Sequence, residues 1–136
     1  MTFKVKVAQC CSLAAMSCDG GRAMTEQQII ETLATKVMGW KKDKYMEDGS
    51  YIADAWYDDQ GDFVEWVRDW RPLKNIVDAW QLVEKMRERQ YYLGISPTPD
   101  GYEVHPERMD RSKICTETFA KTAQEAISKA AYELVA

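Results

Sequence analysis

The sequence predicts an α+β fold in which helices pack on mainly antiparallel sheet, with an aromatic-rich hairpin added to it. Capping and turn signals give the order helix, hairpin, helix, three strands, helix along the chain. The turns between the strands are too short for parallel crossovers, so we expect antiparallel pairing. A chain of 136 residues can bury roughly 65% of its unfolded surface, which is enough for the core of one domain.

The first helix is predicted to begin after Thr25. Thr25 to Gln28 reads T-E-Q-Q, which has the S/T-x-x-E/Q form of a capping box. Gly39 is predicted to end the helix, with Trp40 as a hydrophobic anchor beyond it. Five apolar residues recur at helical spacing and predict the buried face: Ile29, Ile30, Leu33, Val37 and Met38.

A hairpin is predicted next, with strands at Tyr51–Tyr57 and Phe63–Val67 between turn-forming stretches that read EDGS and DDQGD. The region from Lys41 to Trp70 is acidic, so we expect its carboxylates to face water. A calcium loop would need the order DxDxDG-x5-E, which the aspartates here do not follow. These aspartates are Asp54, Asp58, Asp59 and Asp62.

The second helix is predicted to run from Leu73 to Arg89, because Pro72 suits a first helical turn. Basic residues cluster in its last turn, where they complement the helix dipole. The predicted apolar face consists of Ile76, Ala79, Trp80, Val83 and Met86.

Three strands and a helix are predicted to follow. The strands are Tyr91–Ile95, Tyr102–His105 and Lys113–Thr118, and the first two are joined by the turn PTPDG. Thr122 and Glu125 form a second capping box, which predicts a C-terminal helix. Its apolar face is narrow and rich in small residues, which suits close packing on a sheet: Ile127, Ala130, Ala131 and Leu134.

Residues 1–23 differ in composition from the rest of the chain, and we expect a disordered leader followed by a single domain over residues 24–136. One interpretation is a translated upstream sequence, with Met24 as the natural start. A faint likeness to a signal peptide is the alternative, although polar residues interrupt its apolar stretch. Three cysteines, Cys10, Cys11 and Cys18, lie in this leader without a zinc-binding spacing, which favours a reducing, cytoplasmic setting.

The charge and motif content of the chain exclude several classes of function. The net charge is −4 and the isoelectric point is about 5.1, which argues against binding along duplex nucleic acid. No apolar run is long enough to span a bilayer. The sequence lacks GxSxG, GxxxxGK[ST], HExxH and GxGxxG motifs, so we expect no catalysis, no cofactor and no metal. His105 is the only histidine, and we expect a solvated loop residue there.

The segment from Gln90 to Lys113 combines aromatic rings with basic side chains. Rings can stack on a nucleobase, and guanidinium or ammonium groups can bind phosphate oxygens. The rings are Tyr91, Tyr92 and Tyr102, and the donors are Arg108, Arg111 and Lys113. An ordinary sheet is the alternative reading, because Glu107 and Asp110 can neutralise the arginines.

Three motifs in order resemble the phage ABA-sandwich domain family. They are V-M-G-W at Val37–Trp40, A-W-Q-L-V-E-K-M-R at Ala79–Arg87, and A-I-S-K-A-A at Ala126–Ala131. The resemblance extends from about Thr25 to Val135. One departure precedes the second helix: members often have a Ser-Thr-Asp-like cap there, whereas Arg71–Asn75 reads as a basic one.

This resemblance implies an α/β/α layered sandwich. Most members have no known function, but some relatives are anti-Thoeris sponges. These sponges sequester cyclic ADP-ribose isomers, and some also hold cyclic oligonucleotides and assemble as oligomers. The resemblance therefore implies a homo-oligomeric anti-defence protein that captures a cyclic nucleotide in the cytoplasm of the infected or lysogenic bacterial host.

By role, the resemblance favours a ring on the base and basic groups on the phosphates. The candidate residues are Tyr91, Tyr92, Arg108, Arg111 and Lys113, with Trp70 and Arg71 as a second cluster. A phage protein-interaction module that uses exposed Trp56, Trp66 and the acidic hairpin is the alternative. A small hydrolase that uses His105 is a third reading.

Overall fold

Over residues 25–110 and 117–136, which are those that the computed structural model describes, the chain forms three helices and two three-stranded antiparallel sheets. The first sheet contains β1 (Lys41–Glu47), β2 (Ser50–Tyr57) and β3 (Phe63–Trp66) in that order. The second contains β4 (Tyr91–Thr98), β5 (Gly101–Arg108) and β6 (Thr118–Ala120). The helices are α1 (Glu26–Thr32), α2 (Ile76–Glu88) and α3 (Ala123–Val135). The predicted α+β class with antiparallel pairing is confirmed.

The predicted capping box at the start of α1 is confirmed. The Thr25 hydroxyl accepts a hydrogen bond from the Gln28 N–H, and the Gln28 side chain accepts one from the Thr25 N–H. After Thr32 the helix widens into π-helical turns over Leu33–Val37. The chain then leaves the helix at Gly39, whose φ of +77° suits a residue without a Cβ. Trp40 follows as a buried anchor.

The predicted hairpin is confirmed as β2 and β3, but the sequence analysis missed β1. Asp48 and Gly49 both have positive φ in the tight turn that pairs β1 with β2. The sequence of β1, KKDKYME, is almost wholly exposed. Because this edge strand buries no apolar face, it shows no alternating apolar pattern that could have revealed it.

The second helix begins later than predicted, at Ile76 instead of Leu73. The Asn75 side-chain oxygen accepts hydrogen bonds from the N–H groups of Val77 and Asp78, at 2.8 and 3.2 Å. The segment interpreted as a basic cap therefore supplies a polar N-cap, and the departure inferred from Arg71–Asn75 is wrong.

The buried face of α2 is also rotated from the predicted one. Ala79, Leu82 and Met86 are buried, whereas Ile76 and Trp80 are about half exposed. Leu82 was absent from the predicted face. The rotation follows from packing on two sides, since α2 contacts both α3 and β4.

The second sheet places one face against helices and the other toward solvent. Tyr91 pairs with Arg108 and Thr98 with Gly101, with no break in register between them. The first two predicted strands are confirmed and extend beyond their predicted ends. The third begins at Thr118, where the prediction ended it. Of the predicted third strand, residues 113–116 lie outside the described part of the chain.

The predicted C-terminal helix is confirmed as α3, and of its predicted capping box the structure shows the contact made by the Thr122 side chain. The Thr122 hydroxyl accepts a hydrogen bond from the Glu125 N–H at 3.2 Å. Helix α3 contacts β5 and β6, and small buried residues allow this close approach. The buried residues on this face are Ala126, Ile127, Ala130 and Ala131.

Three tryptophans in contact connect the first sheet to the helices; we call Trp40, Trp56 and Trp70 the tryptophan cluster. The ring of Trp40 lies 6.5 Å from that of Trp56 and 5.0 Å from that of Trp70, between centroids. Trp56 is fully buried, so its predicted role as an exposed docking residue is wrong. Trp66 is partly buried and packs edge-on against Tyr45 and Phe63.

The predictions for the leader at residues 1–23 and for a start at Met24 fall outside the described residues. In the part of the chain that the structure describes, every helix is too short or too polar to cross a membrane.

Candidate ligand-binding site

Tyr91 and Arg108 lie opposite each other at one end of the β4–β5 hairpin. Their backbones pair across the two strands, and the Arg108 guanidinium carbon lies 5.5 Å from the centroid of the Tyr91 ring. This is the geometry of a cation–π contact. Tyr91 is half-buried and packs against the hydrophobic core, while Arg108 is exposed. The hairpin therefore holds a ring and a cation together at its open end.

The backbone around this pair is well supported. The Met109 N–H donates to the Gln90 carbonyl at 2.9 Å, which extends the pairing one step past Arg108. Gln90 itself has a φ of +73° at the sharp junction between α2 and β4. Among the described residues, no carboxylate forms an ion pair with Arg108. Its guanidinium is therefore held by the Tyr91 ring and open to solvent.

The three tyrosines of this segment do not converge. Tyr92 points to the opposite face of the sheet from Tyr91, is about half exposed, and pairs with Glu107. Tyr102 lies near the turn at the other end of the hairpin, where it pairs with Pro97. Side chains alternate between the two faces of a strand, so Tyr92 faces away from Arg108, and Tyr102 shares its face but lies at the far end of the hairpin.

Arg111 and Lys113 follow Arg108 by three and five positions, and both lie outside the described residues. Their participation in a site stays a prediction from the sequence.

The second candidate pair, Trp70 and Arg71, makes contacts within the fold. Trp70 is 1% exposed, and its Nε1–H donates to the Gln81 side-chain oxygen at 2.7 Å. Arg71 Nη1 lies 3.6 Å from a carboxylate oxygen of Glu26, and its Nε–H donates to a backbone carbonyl. In this arrangement no face of the Trp70 ring is open to a ligand.

The backbone of Arg71 has a second role at the start of α2. Its N–H donates to a carboxylate oxygen of Asp78 at 2.9 Å. Burial raises the pKa of Asp78, and this hydrogen bond partly opposes the rise. The contact ties the turn before α2 to the first turn of the helix.

One group of polar residues was missed by the sequence analysis. His105 lies within β5 instead of a loop, between the carboxylates of Glu103 and Glu117. The spacing of Glu103 and His105, two apart on a strand, could have shown that they share a face. Glu117 joins them only through the pairing of β5 with the chain entering β6, which the sequence does not reveal.

An apolar surface on α2 also escaped prediction. Ile76, Val77 and Trp80, which we call the α2 apolar surface, are all exposed. They line an open depression of about 650 Å³ together with Met38 and the charged residues of the following turns. Monomeric proteins rarely expose several large apolar side chains next to one another, so such a group commonly marks a contact surface.

Comparison with known proteins identifies a family. The model of the phage ABA sandwich domain matches residues 31–132, which is most of the chain. This match confirms the resemblance inferred from the three motifs. No curated protein and no solved structure shows significant similarity to the chain.

Proposed function

The chain belongs to the phage ABA sandwich domain family, and we propose that it is an anti-defence protein that binds and sequesters a cyclic nucleotide signal. The ligand is a cyclic ADP-ribose isomer, a cyclic oligonucleotide, or both. The protein acts in the cytoplasm of the infected or lysogenic bacterial host. The observation that carries the proposal is the placement of the exposed Arg108 over the Tyr91 ring at the open end of the β4–β5 hairpin.

This pair offers both contacts that a cyclic nucleotide requires. A nucleobase needs a flat surface on which to stack, and its phosphates need N–H donors. The Arg108 guanidinium carbon lies 5.5 Å from the centroid of the Tyr91 ring, and the side chain is exposed, so a base can stack on the guanidinium from solvent. The N–H groups in the plane of the guanidinium can reach phosphate oxygens in a bidentate manner. Because Tyr91 already orients Arg108, binding loses less side-chain entropy than it would with a free arginine.

We propose capture without cleavage. The two ring nitrogens of His105 lie 2.8 Å from Glu117 and 3.6 Å from Glu103. A hydrolase that used this histidine to activate a side-chain nucleophile would place a hydroxyl or thiol there instead. Stoichiometric retention of the ligand fits this arrangement better than turnover.

Replacing Arg108 with glutamine is expected to weaken binding about tenfold, since it removes one charge-assisted contact. Isothermal titration calorimetry with cyclic ADP-ribose isomers and cyclic di- and trinucleotides measures the change. Chromatography of the released ligand should return it unaltered, as expected of a sponge.

The matched control is Arg68→Gln. The Arg68 guanidinium lies 5.3 Å from the centroid of the Trp66 ring, so this substitution removes the same type of pair from the first sheet. We expect its affinity to stay within twofold of the unsubstituted protein. Absence of heat and of thermal stabilisation with every ligand would refute the proposed function. Equal losses for the two variants would refute the site.

We also propose that the protein forms a homo-oligomer through the α2 apolar surface. The next turns of α2 carry two ion pairs of opposite orientation. In one the acid comes first, with Glu84 2.6 Å from Arg87, and in the other the base comes first, with Lys85 3.4 Å from Glu88. A two-fold contact sets the same surface against itself. A border that contains both charges can therefore pair with its own copy while the apolar residues meet at the centre.

Replacing Trp80 with glutamate is expected to shift the protein to monomers in analytical ultracentrifugation, because a charge would be buried at the centre of the contact. Ile52→Glu is the control, since Ile52 is similarly exposed (50% against 48%) but lies on the first sheet. A monomeric unsubstituted protein would refute self-association. If a phage or host protein then co-purifies with the unsubstituted protein and not with Trp80→Glu, the chain is the interaction module considered from the sequence.

A further inference from the structure

His105 is held between two carboxylates on the solvent side of the second sheet. Its Nδ1 lies 2.8 Å from a carboxylate oxygen of Glu117, and its Nε2 lies 3.6 Å from one of Glu103. The Glu117 side chain is only 10% exposed, while that of His105 is 40% exposed. The cluster is therefore supported from within the protein and accessible from solvent on the imidazole side.

The orientation of the imidazole determines how it can be used. Its Nδ1 faces the Glu117 carboxylate, and its Nε2 faces that of Glu103. When the single N–H of a neutral imidazole is on Nδ1, Nε2 bears a lone pair. Nε2 and an oxygen of Glu103 then lie 3.6 Å apart and can bind the same metal ion.

The separation of these two atoms suits a metal ion. Zinc binds imidazole nitrogen and carboxylate oxygen at about 2.0–2.2 Å, which in tetrahedral geometry sets neighbouring ligand atoms roughly 3.3 Å apart. The observed 3.6 Å needs only a small side-chain adjustment. A carboxylate on the other ring nitrogen is also the usual partner of a metal-bound histidine, where it fixes the tautomer and the ring orientation.

The geometry points to a binding site for a first-row divalent cation at Glu103 and His105, with Glu117 as the positioning residue. Glu103 supplies a carboxylate oxygen and His105 supplies Nε2, while water completes the coordination. A mixed nitrogen and oxygen set favours Zn²⁺, Co²⁺ or Mn²⁺ over Mg²⁺ and Ca²⁺, which prefer oxygen ligands alone. This site is independent of the nucleotide site proposed above, because it lies on the opposite face of β5 from the Arg108 side chain.

Titration of the full-length protein with Co²⁺ and Zn²⁺ tests the proposal. We expect one Co²⁺ per chain with the absorption spectrum of nitrogen and oxygen ligands, and Zn²⁺ should displace it. A thiolate charge-transfer band would instead assign the ion to cysteine. Zn²⁺ should also raise the melting temperature, because an ion that binds the folded state stabilises it. Mg²⁺ and Ca²⁺ at equal concentration should have little effect.

Variants separate the roles of the three residues. Glu103→Gln and His105→Ala should each weaken Co²⁺ binding by well over tenfold. Glu117→Gln should weaken it about tenfold and keep the spectrum of the bound ion, as a positioning residue does. Glu107→Gln is the control, since Glu107 is exposed on the same face of β5, and its affinity should stay within twofold. Circular dichroism confirms that each variant is folded.

Two outcomes would overturn the assignment. Absence of Co²⁺ binding, or unchanged Co²⁺ affinity in both Glu103→Gln and His105→Ala, would show that these two residues do not bind the ion. Equal losses for Glu117→Gln and Glu103→Gln, with altered spectra in both, would make Glu117 a ligand instead of a positioning residue.

Discussion

Replacing Trp70 with alanine is expected to lower the free energy of unfolding by about 3–5 kcal/mol, the range observed when a buried aromatic side chain is truncated. The Trp70 ring is 1% exposed and meets the Trp40 ring edge-on, with centroids 5.0 Å apart. Its loss leaves a cavity between the first sheet and the helices. It also removes the hydrogen bond from Trp70 Nε1–H to Gln81, which leaves an amide oxygen without this partner.

Urea denaturation followed by far-ultraviolet circular dichroism measures this loss. Tyr51→Ala is the control, because Tyr51 is also a large aromatic residue but is 54% exposed on the first sheet, and it should cost about 1 kcal/mol or less. Similar losses in the two variants would contradict the assignment of Trp70 to the core. Trp70 would then become available again as a stacking residue for a ligand.

Replacing Gly101 with alanine is expected to destabilise the protein by about 2–3 kcal/mol, within the range for overpacked positions. A Cβ at this position would overlap the carbonyl oxygen of Ala120 and lie 3.1 Å from the Cα of Lys121. Both are backbone atoms, so no side-chain rotation relieves the contact. The substitution therefore pushes β6 away from β5, next to the point where Tyr102 pairs with Ala120.

Gly94→Ala provides the comparison on the neighbouring strand. A Cβ on Gly94 would have only the His105 carbonyl oxygen nearby, at 3.4 Å, which is close to an ordinary contact. We expect its stability to change by less than about 1 kcal/mol in the same denaturation experiment. A Gly101 variant as stable as the Gly94 variant would show that β5 and β6 can separate without cost.

The parts of the fold that could be predicted are those specified by neighbouring residues. Thr25 with Gln28, and Thr122 with Glu125, identify helix starts within four residues of sequence. The missed strand β1 and the rotated face of α2 depend on distant partners. Polar Lys41–Glu47 becomes a strand because β2 offers it a pairing edge, and Leu82 is buried because α3 and β4 meet α2 there.

The same distinction applies to the candidate site, where contacts specified by neighbouring residues could be predicted and contacts between distant residues could not. The sequence identified Tyr91 and Arg108 as members of one hairpin, and their alternation excludes Tyr92 from the same face. Their direct pairing depends on a register that begins at the Thr98 turn, where the Thr98 hydroxyl accepts from the Gly101 N–H at 3.0 Å. Glu117 and His105 lie further apart in the sequence, and no local sequence pattern predicts that they come into contact.

The charged side chains of β1 affect the concentration that the protein can reach without aggregating. An unpaired strand edge readily recruits strands from other chains, and lysines on such an edge oppose this. Strand β1 is one of the two outer strands of the first sheet and carries Lys41, Lys42 and Lys44. Under the sequestration proposed above, the protein must accumulate to the concentration of its signal. The lysines of β1 oppose aggregation into fibrils at such concentrations.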